Sequence, residues 1–106
     1  MKQGAAIINA TLANAYKANE VLLDYTSTKG AVEAFTRAQS LQLVMKGIRM
    51  NSVAPGPVWT PFVIGAKLLE IPLFGHDTPT GRYGQPLGVA PVYVFLASED
   101  ASYFSG

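Results

Sequence analysis

The sequence contains no cysteine, and this absence removes two classes of protein at once. Disulfide frameworks and thiolate metal sites both require cysteine sulfur. A single histidine is present, His76, and Asp77 is the one carboxylate close to it in sequence. Because a stable metal site needs several such ligands, we predict that the chain binds no metal.

Clustered charge and long apolar runs are also lacking. Eight basic residues stand against seven acidic ones, and the basic residues are scattered along the chain. Without a basic stripe, nothing favours binding to nucleic acid. No apolar run approaches the roughly 20 residues of a membrane span, and the one that follows residues 1–4 is too short for a secretory signal. We therefore expect a cytoplasmic protein with no nucleic-acid or membrane partner.

The apolar residues that are present predict a strand, a long helix and a second strand. The 106 residues, 49% of them apolar, allow one domain with a modest core. A short apolar run over residues 5–10 is typical of a strand buried on both faces. After a polar loop at residues 11–20, a three- and four-residue periodicity predicts a helix over residues 21–46. Its apolar stripe comprises Ala31, Ala34, Phe35, Ala38, Leu41 and Met45.

Glycine and proline mark where these elements end. Gly47 is placed to end the long helix in a left-handed conformation. A second strand is predicted over residues 48–53 and is stopped by Pro55-Gly56-Pro57. A short helix near residues 62–69, a turn-rich segment at 75–84 and a helix over 86–97 complete the prediction. Because strand, helix and strand form a parallel crossover unit, we predict an α/β fold, part of a doubly wound parallel sheet with about three helices.

Tyr25 and Lys29 are the first candidates for chemistry. They lie four residues apart at the start of the long helix, so their side chains share one face, one turn apart. An ammonium group beside a phenol favours the phenolate, which suits a tyrosine to proton transfer. By spacing alone such a pair recurs by chance in roughly one chain of this length in five. Its place after a buried strand and a loop favours the catalytic interpretation.

Three segments together resemble the short-chain dehydrogenases/reductases. Residues 24–31 (Asp-Tyr-Thr-Ser-Thr-Lys-Gly-Ala) resemble the Tyr-x-x-x-Lys active-site segment of that family. Residues 48–60 resemble its strand and Pro-Gly-x-x-x-Thr turn, and residues 81–98 resemble the helix before its last strand. The resemblance covers essentially the whole chain in the family's order. It implies a Rossmann-type domain, NAD or NADP as cofactor, and hydride transfer between the nicotinamide and a small alcohol or carbonyl compound.

The resemblance also assigns roles to particular residues. Tyr25 would give a proton to a carbonyl or take one from an alcohol, and Lys29 would assist it and hydrogen-bond the nicotinamide ribose. The remaining cofactor contacts would come from the turn after the second strand: Pro55, Gly56, the Val58 backbone and Thr60. Taken by itself, however, Pro55-Gly56-Pro57 is more typical of an ordinary turn than of a cofactor site. Residues near the substrate would be Leu12, Ala13 and Trp59.

Leu12 departs from the family pattern. The family places a serine thirteen residues before its tyrosine, where the hydroxyl orients the substrate oxygen; here that position is Leu12, which has no donor. Thr11 carries a hydroxyl, but an offset of one residue along a strand end points it to the opposite face. An inactive fragment or pseudoenzyme is therefore an alternative.

The extent of the chain and its long helix lead to two further expectations. The glycine-rich phosphate turn, the residue that selects NAD or NADP and the family's last strand would lie outside these 106 residues, so we expect a partial Rossmann domain with Met1 as an internal methionine. A full-length version is expected to be a dimer or tetramer. In this family the long helix commonly packs on its copy, and Gly30, Ala34 and Ala38 are small enough for close approach. The chain could therefore also serve as a self-association module.

The leucine at position 12 generates the first test. Loss of one oxyanion-type donor costs about 3 kcal/mol, or roughly a hundredfold in rate. In a full-length version, we expect Leu12→Ser to raise kcat more than it lowers KM, in steady-state assays with small aldehydes, ketones and alcohols. If Leu12→Ser gives no gain while Thr11→Val abolishes turnover, the hydroxyl of Thr11 has replaced that of the serine.

Overall fold

The computed structural model describes residues 1–12, 23–61 and 78–106. Within them the order is strand, helix, strand, helix: β1 (Ala6–Ala10), α1 (Leu23–Leu43), β2 (Arg49–Val53) and α2 (Pro86–Ala97). One 3-10 turn, Val44–Lys46, extends α1, and another, Glu99–Ala101, follows α2. The prediction of an α/β fold is confirmed. The polar loop before α1 and the short helix predicted near residues 62–69 lie outside the described residues, apart from Thr11 and Leu12.

The two strands are parallel and in a register that aligns their ends. Ala6 lies opposite Arg49, and Ala10 lies opposite Val53. The backbone pairing continues one residue further, because the N–H of Thr11 donates to the carbonyl of Val53 at 2.9 Å. The carboxyl ends of both strands therefore meet at one edge of the sheet, where doubly wound folds bind their ligands.

Gly47 ends the first helical segment as the sequence predicts. Its φ of +69° lies in the left-handed region, and its N–H donates to the carbonyl of Val44 at 3.0 Å. A residue with a Cβ is strained in this conformation, whereas glycine is not. The chain can therefore reverse within a few residues and enter β2.

Helix α1 packs on the sheet through a polar face. Thr36 and Ser40 are its buried residues, and the Asn9 amide on β1 donates to Thr36 Oγ1 at 2.9 Å. The predicted apolar stripe instead faces outward, since Phe35 is 55% exposed and Met45 is 90% exposed. Periodicity found the helix correctly but does not say which stripe contacts the sheet. The apolar stripe is thus left on the outer surface of α1.

The opposite face of the sheet is anchored by Arg49. Its guanidinium donates to the carbonyls of Leu96, Ser98 and Ala101 at 2.8, 3.2 and 3.0 Å. These carbonyls lie at the end of α2 and in the 3-10 turn that follows it, where Ser98 and Ala101 also accept from the backbone N–H groups of Ala101 and Phe104. Because Arg49 is on β2, one side chain fixes the end of α2 against the sheet. Nothing in the sequence pattern pointed to this contact.

The small apolar core lies around these contacts. Ile48, Met50, Leu96 and Ala101 are the buried apolar residues of the described chain. The other edge of β2 is covered by the last residues, because Gly106 N–H donates to the Met50 carbonyl at 2.8 Å. Asn51 also donates from its amide to the Phe104 carbonyl at 2.9 Å. The chain end and α2 therefore secure β2 while α1 holds the other face.

We expect Arg49→Ala to lower the free energy of unfolding of a full-length version by about 2 kcal/mol, because it removes charge-assisted hydrogen bonds to three carbonyls. Arg49→Lys should recover only part of this, since one ammonium group cannot span all three acceptors. Urea unfolding measures the difference. Arg82→Ala is the matched control. Thr78 and Thr80 donate to the backbone carbonyl of Arg82, and alanine keeps that carbonyl. Equal effects of the two alanine substitutions would refute the anchoring role.

Candidate active site

Tyr25 and Lys29 lie together in the first turns of α1. Lys29 Nζ is 5.4 Å from the centroid of the Tyr25 ring, and both residues are half-buried. The same ammonium donates to the carbonyl of Ala10, the last residue of β1, at 3.1 Å. The helix therefore places a cation between a phenol and the carboxyl end of a strand, which is an arrangement suited to proton transfer.

A second hydrogen bond ties β1 to the same turn of α1. Thr11 is only 3% exposed, and its hydroxyl donates to the backbone carbonyl of Lys29 at 2.9 Å. Thr11 and Asn9 thus both point to α1, as expected for residues two apart on an extended chain. By the same alternation the half-buried Leu12 is directed to the other side. The hydroxyl of Thr11 is engaged by the helix backbone.

The turn after β2 is held by a distant segment. Gly84 N–H donates to the Pro57 carbonyl at 2.7 Å, and Trp59 N–H donates to the Gly84 carbonyl at 2.9 Å, which makes a parallel bridge between Val58 and Gly84. The hydrogen bonds of this bridge come from the Pro57 carbonyl and the Trp59 N–H, so the N–H and carbonyl of Val58 itself take no part in it. Extended backbone presents alternate groups to opposite sides. The Val58 amide therefore faces away from Gly84.

An aromatic contact supports the same turn. The rings of Trp59 and Tyr83 lie with centroids 5.3 Å apart and planes tilted by 33°. Trp59 remains 37% exposed, and Thr60 is half-buried. The sequence indicated only that residues 75–84 are rich in turns, so neither Tyr83 nor Gly84 was identified as a partner. The contacts with Tyr83 and Gly84 hold residues 57–59 in place and so give the turn a defined shape.

The aligned ends of the strands bring most of the candidate residues to one edge. Thr11 and Leu12 follow β1, the Pro55-Gly56 turn follows β2, and Lys29 reaches the last residue of β1. Ala13, His76 and Asp77 lie outside the described residues. Within residues 1–12, 23–61 and 78–106 there is no cluster of metal-ligating side chains. None of the helices in these ranges is long and apolar enough to cross a membrane.

A parallel strand–helix–strand unit with these residues at its carboxyl edge defines a Rossmann-type α/β protein. The family model described as "Enoyl-(Acyl carrier protein) reductase" matches residues 1–106, the whole chain. The chain belongs to the short-chain dehydrogenase/reductase family of oxidoreductases.

Two plant relatives are similar throughout the chain. A carrot (Daucus carota) protein named "Glucose and ribitol dehydrogenase" is 58% identical over an alignment of 107 positions that covers 100% of this chain and 37% of that protein. The Arabidopsis thaliana "NADPH-dependent aldehyde reductase 1, chloroplastic" is 57% identical over an alignment of 108 positions that covers 100% of this chain and 38% of that protein. The chain thus spans little more than a third of the length of these relatives.

Solved structures agree with this likeness. A short-chain dehydrogenase from Brucella melitensis described as a glucose/ribitol dehydrogenase has a TM-score of 0.86 at 34% identity, covering 99% of this chain and 42% of its own. The angucycline C-6 ketoreductase LanV with bound NADP has a TM-score of 0.87 at 32% identity, covering 99% of this chain and 41% of its own. Use of a nicotinamide cofactor is therefore a property of structures that share this fold.

The contact between Thr11 and Lys29 can be tested by removing one hydroxyl. We expect Thr11→Val in a full-length version to lower the free energy of unfolding by about 1 kcal/mol, because the Lys29 carbonyl loses a buried donor. Thr11→Ser should retain most of the stability, since it keeps the hydroxyl. Urea unfolding of the two variants gives the comparison. Unchanged unfolding together with lost turnover in Thr11→Val would instead assign the hydroxyl to the substrate.

Proposed function

We propose that the protein carrying this chain is an NAD- or NADP-dependent oxidoreductase that transfers hydride between the nicotinamide and a small alcohol or carbonyl compound. The observation that carries the proposal is the 5.4 Å separation of Lys29 Nζ from the Tyr25 ring at the carboxyl edge of the sheet. Membership in the family supports the reaction class. The relatives' greater length implies that the full site needs residues beyond these 106.

Tyr25 is the acid/base group in this proposal. In the reductive direction its phenolic O–H gives the proton to the carbonyl oxygen while the carbonyl carbon receives the hydride; in the oxidative direction both transfers reverse. Lys29 stabilises the phenolate that remains, because its ammonium lies beside the ring. Its hydrogen bond to the Ala10 carbonyl holds the ammonium at the end of β1.

The residues of the turn fit the donor and acceptor pattern of a nicotinamide carboxamide. That group presents both an N–H and a carbonyl, and the Val58 amide offers a carbonyl and an N–H on the side away from Gly84. Thr60 adds a hydroxyl, and Pro55-Gly56 permits close approach of a ring. Lys29 supplies the cation for the ribose hydroxyls. The bound nicotinamide supplies or accepts the hydride.

The substrate class in the proposal is a small carbonyl compound or its alcohol. The carrot relative is named a glucose and ribitol dehydrogenase, and the Arabidopsis relative is named an aldehyde reductase. Both names describe the oxidation of an alcohol or the reduction of a carbonyl compound. Leu12, Ala13 and Trp59 are the residues we assign to the substrate side. Since Leu12 brings no hydrogen-bond donor, Tyr25 is the one donor to the substrate oxygen that we assign within the described residues.

A second candidate function is self-association through α1. The predicted apolar stripe faces outward, and Leu41 is 76% exposed. Ala34 and Ala38 are also exposed, and their small side chains favour close approach of a second helix. An inactive protein, through the missing hydroxyl at Leu12, is the alternative to catalysis, and a homo-oligomer is compatible with either function.

A chimera provides the test of the main proposal. Residues 1–106 replace the matching segment of the carrot relative, and turnover of small aldehydes is followed by NADH or NADPH absorbance. Tyr25→Phe should lower kcat by roughly a hundredfold or more with little change in cofactor affinity, because it removes the proton and keeps the ring. Tyr93→Phe, on α2, is the matched control. If Tyr25→Phe turns over as fast as the unsubstituted chimera, Tyr25 is not the acid/base group.

A further inference from the structure

A hydrogen bond between α1 and β2 lies close to the candidate site and has no role in the proposed chemistry. Ser52 Oγ donates to Glu33 Oε2 at 2.7 Å. The Glu33 side chain is only 13% exposed, and its other oxygen, Oε1, is 3.2 Å from Arg37 Nε. A carboxylate at a helix–sheet interface costs desolvation free energy unless its oxygens are satisfied, and both oxygens of Glu33 have a partner.

The positions of the two residues connect the two halves of the site. Glu33 lies four residues after Lys29, so the two share one face of α1, one turn apart. Ser52 lies three residues before Pro55, at the end of β2 and opposite Asn9 in the register. The bond therefore joins the helix of Tyr25 and Lys29 directly to the strand that leads into the Pro55-Gly56 turn.

We propose that Glu33 is a positioning residue that fixes the catalytic helix relative to the cofactor turn through Ser52. The role rests on the proposed function, in which Tyr25 and the Val58 backbone act on the two ends of one hydride transfer. An acceptor that carries charge makes a hydroxyl hydrogen bond shorter and stronger than a neutral acceptor does. Such a bond resists rotation or sliding of α1, which apolar packing alone permits.

Two neighbouring contacts between α1 and the sheet involve β1 instead of β2. Asn9 and Thr36 make a similar contact, but it ties α1 to β1 and not to the strand of the turn. The contact of Thr11 with Lys29 likewise involves β1. Displacing a reacting group by about 1 Å can cost roughly a hundredfold in rate. Loss of the link from Glu33 to Ser52 should therefore be felt in kcat more than in KM.

The test uses the chimera and three variants: Glu33→Ala, Ser52→Ala and the pair together. We expect either single change to lower kcat by about tenfold and to weaken NADPH binding severalfold, with KM for the aldehyde little altered. The double variant should be no worse than the worse single one, because both remove the same bond. Glu33→Gln should restore part of the rate, since an amide oxygen still accepts from Ser52 but carries no charge.

Ser40→Ala is the matched control. Ser40 is buried on the same face of α1, but its hydroxyl donates to the Arg37 carbonyl of its own helix. It should leave kcat unchanged even if stability falls. Assays run well below each melting temperature, with rates normalised to bound NADPH, exclude unfolding as the cause.

A readout without turnover separates this inference from the proposed function. Amide hydrogen exchange should become faster at residues 53–60 in Glu33→Ala and remain unchanged there in Ser40→Ala. If the chimera lacks turnover but shows this difference, the proposed function fails and the positioning role stands. Additive effects of the two alanine changes, or equal exchange in Glu33→Ala and Ser40→Ala, would overturn the role of Glu33.

Discussion

Two hydrogen bonds between the end of β1 and the first turns of α1 determine the geometry of the candidate site. The Thr11 hydroxyl donates to the Lys29 carbonyl, and the Lys29 ammonium donates to the Ala10 carbonyl. One bond restrains the helix backbone and the other restrains the side chain of the same residue. Because Tyr25 lies one turn earlier on the same helix, its position relative to the sheet follows from this double contact. The rest of the site is arranged around an edge that these bonds define.

The polar contact between α1 and the sheet accounts for the unusual distribution of side chains on the helix. Asn9, Thr11 and Ser52 on the sheet bond to partners on α1, and these bonds fix the rotation of the helix about its axis. Apolar contacts are not directional, so an apolar interface leaves that rotation less well defined. The role proposed for Tyr25 needs the directional kind of contact, because the first turn of α1 must then present the phenol at a set angle. The apolar stripe is then free to face outward.

Local signals in the sequence predicted the elements, but not the contacts between them. Residue periodicity and Gly47 located α1 and its end, and short apolar runs located β1 and β2 to within a residue or two. The bonds of Arg49 instead join residues 47 to 52 positions apart, and the bridge of Val58 to Gly84 joins residues 26 apart. No local pattern encodes such pairs. The outward stripe of α1 was unpredictable for the same reason, since the choice of buried face depends on Asn9 and Ser52 in distant strands.

The engagement of Thr11 limits how the chain could compensate for Leu12. Recruiting the Thr11 hydroxyl to a substrate oxygen requires it to leave the Lys29 carbonyl and to turn from the α1 side of the strand to the other side. The Lys29 carbonyl would lose its side-chain donor, and the helix turn that carries Lys29 would be held less firmly. Gaining a substrate contact at Thr11 would thus weaken the placement of Lys29, the group proposed to assist Tyr25. A hydroxyl at position 12 avoids this conflict, because alternation directs that position away from α1.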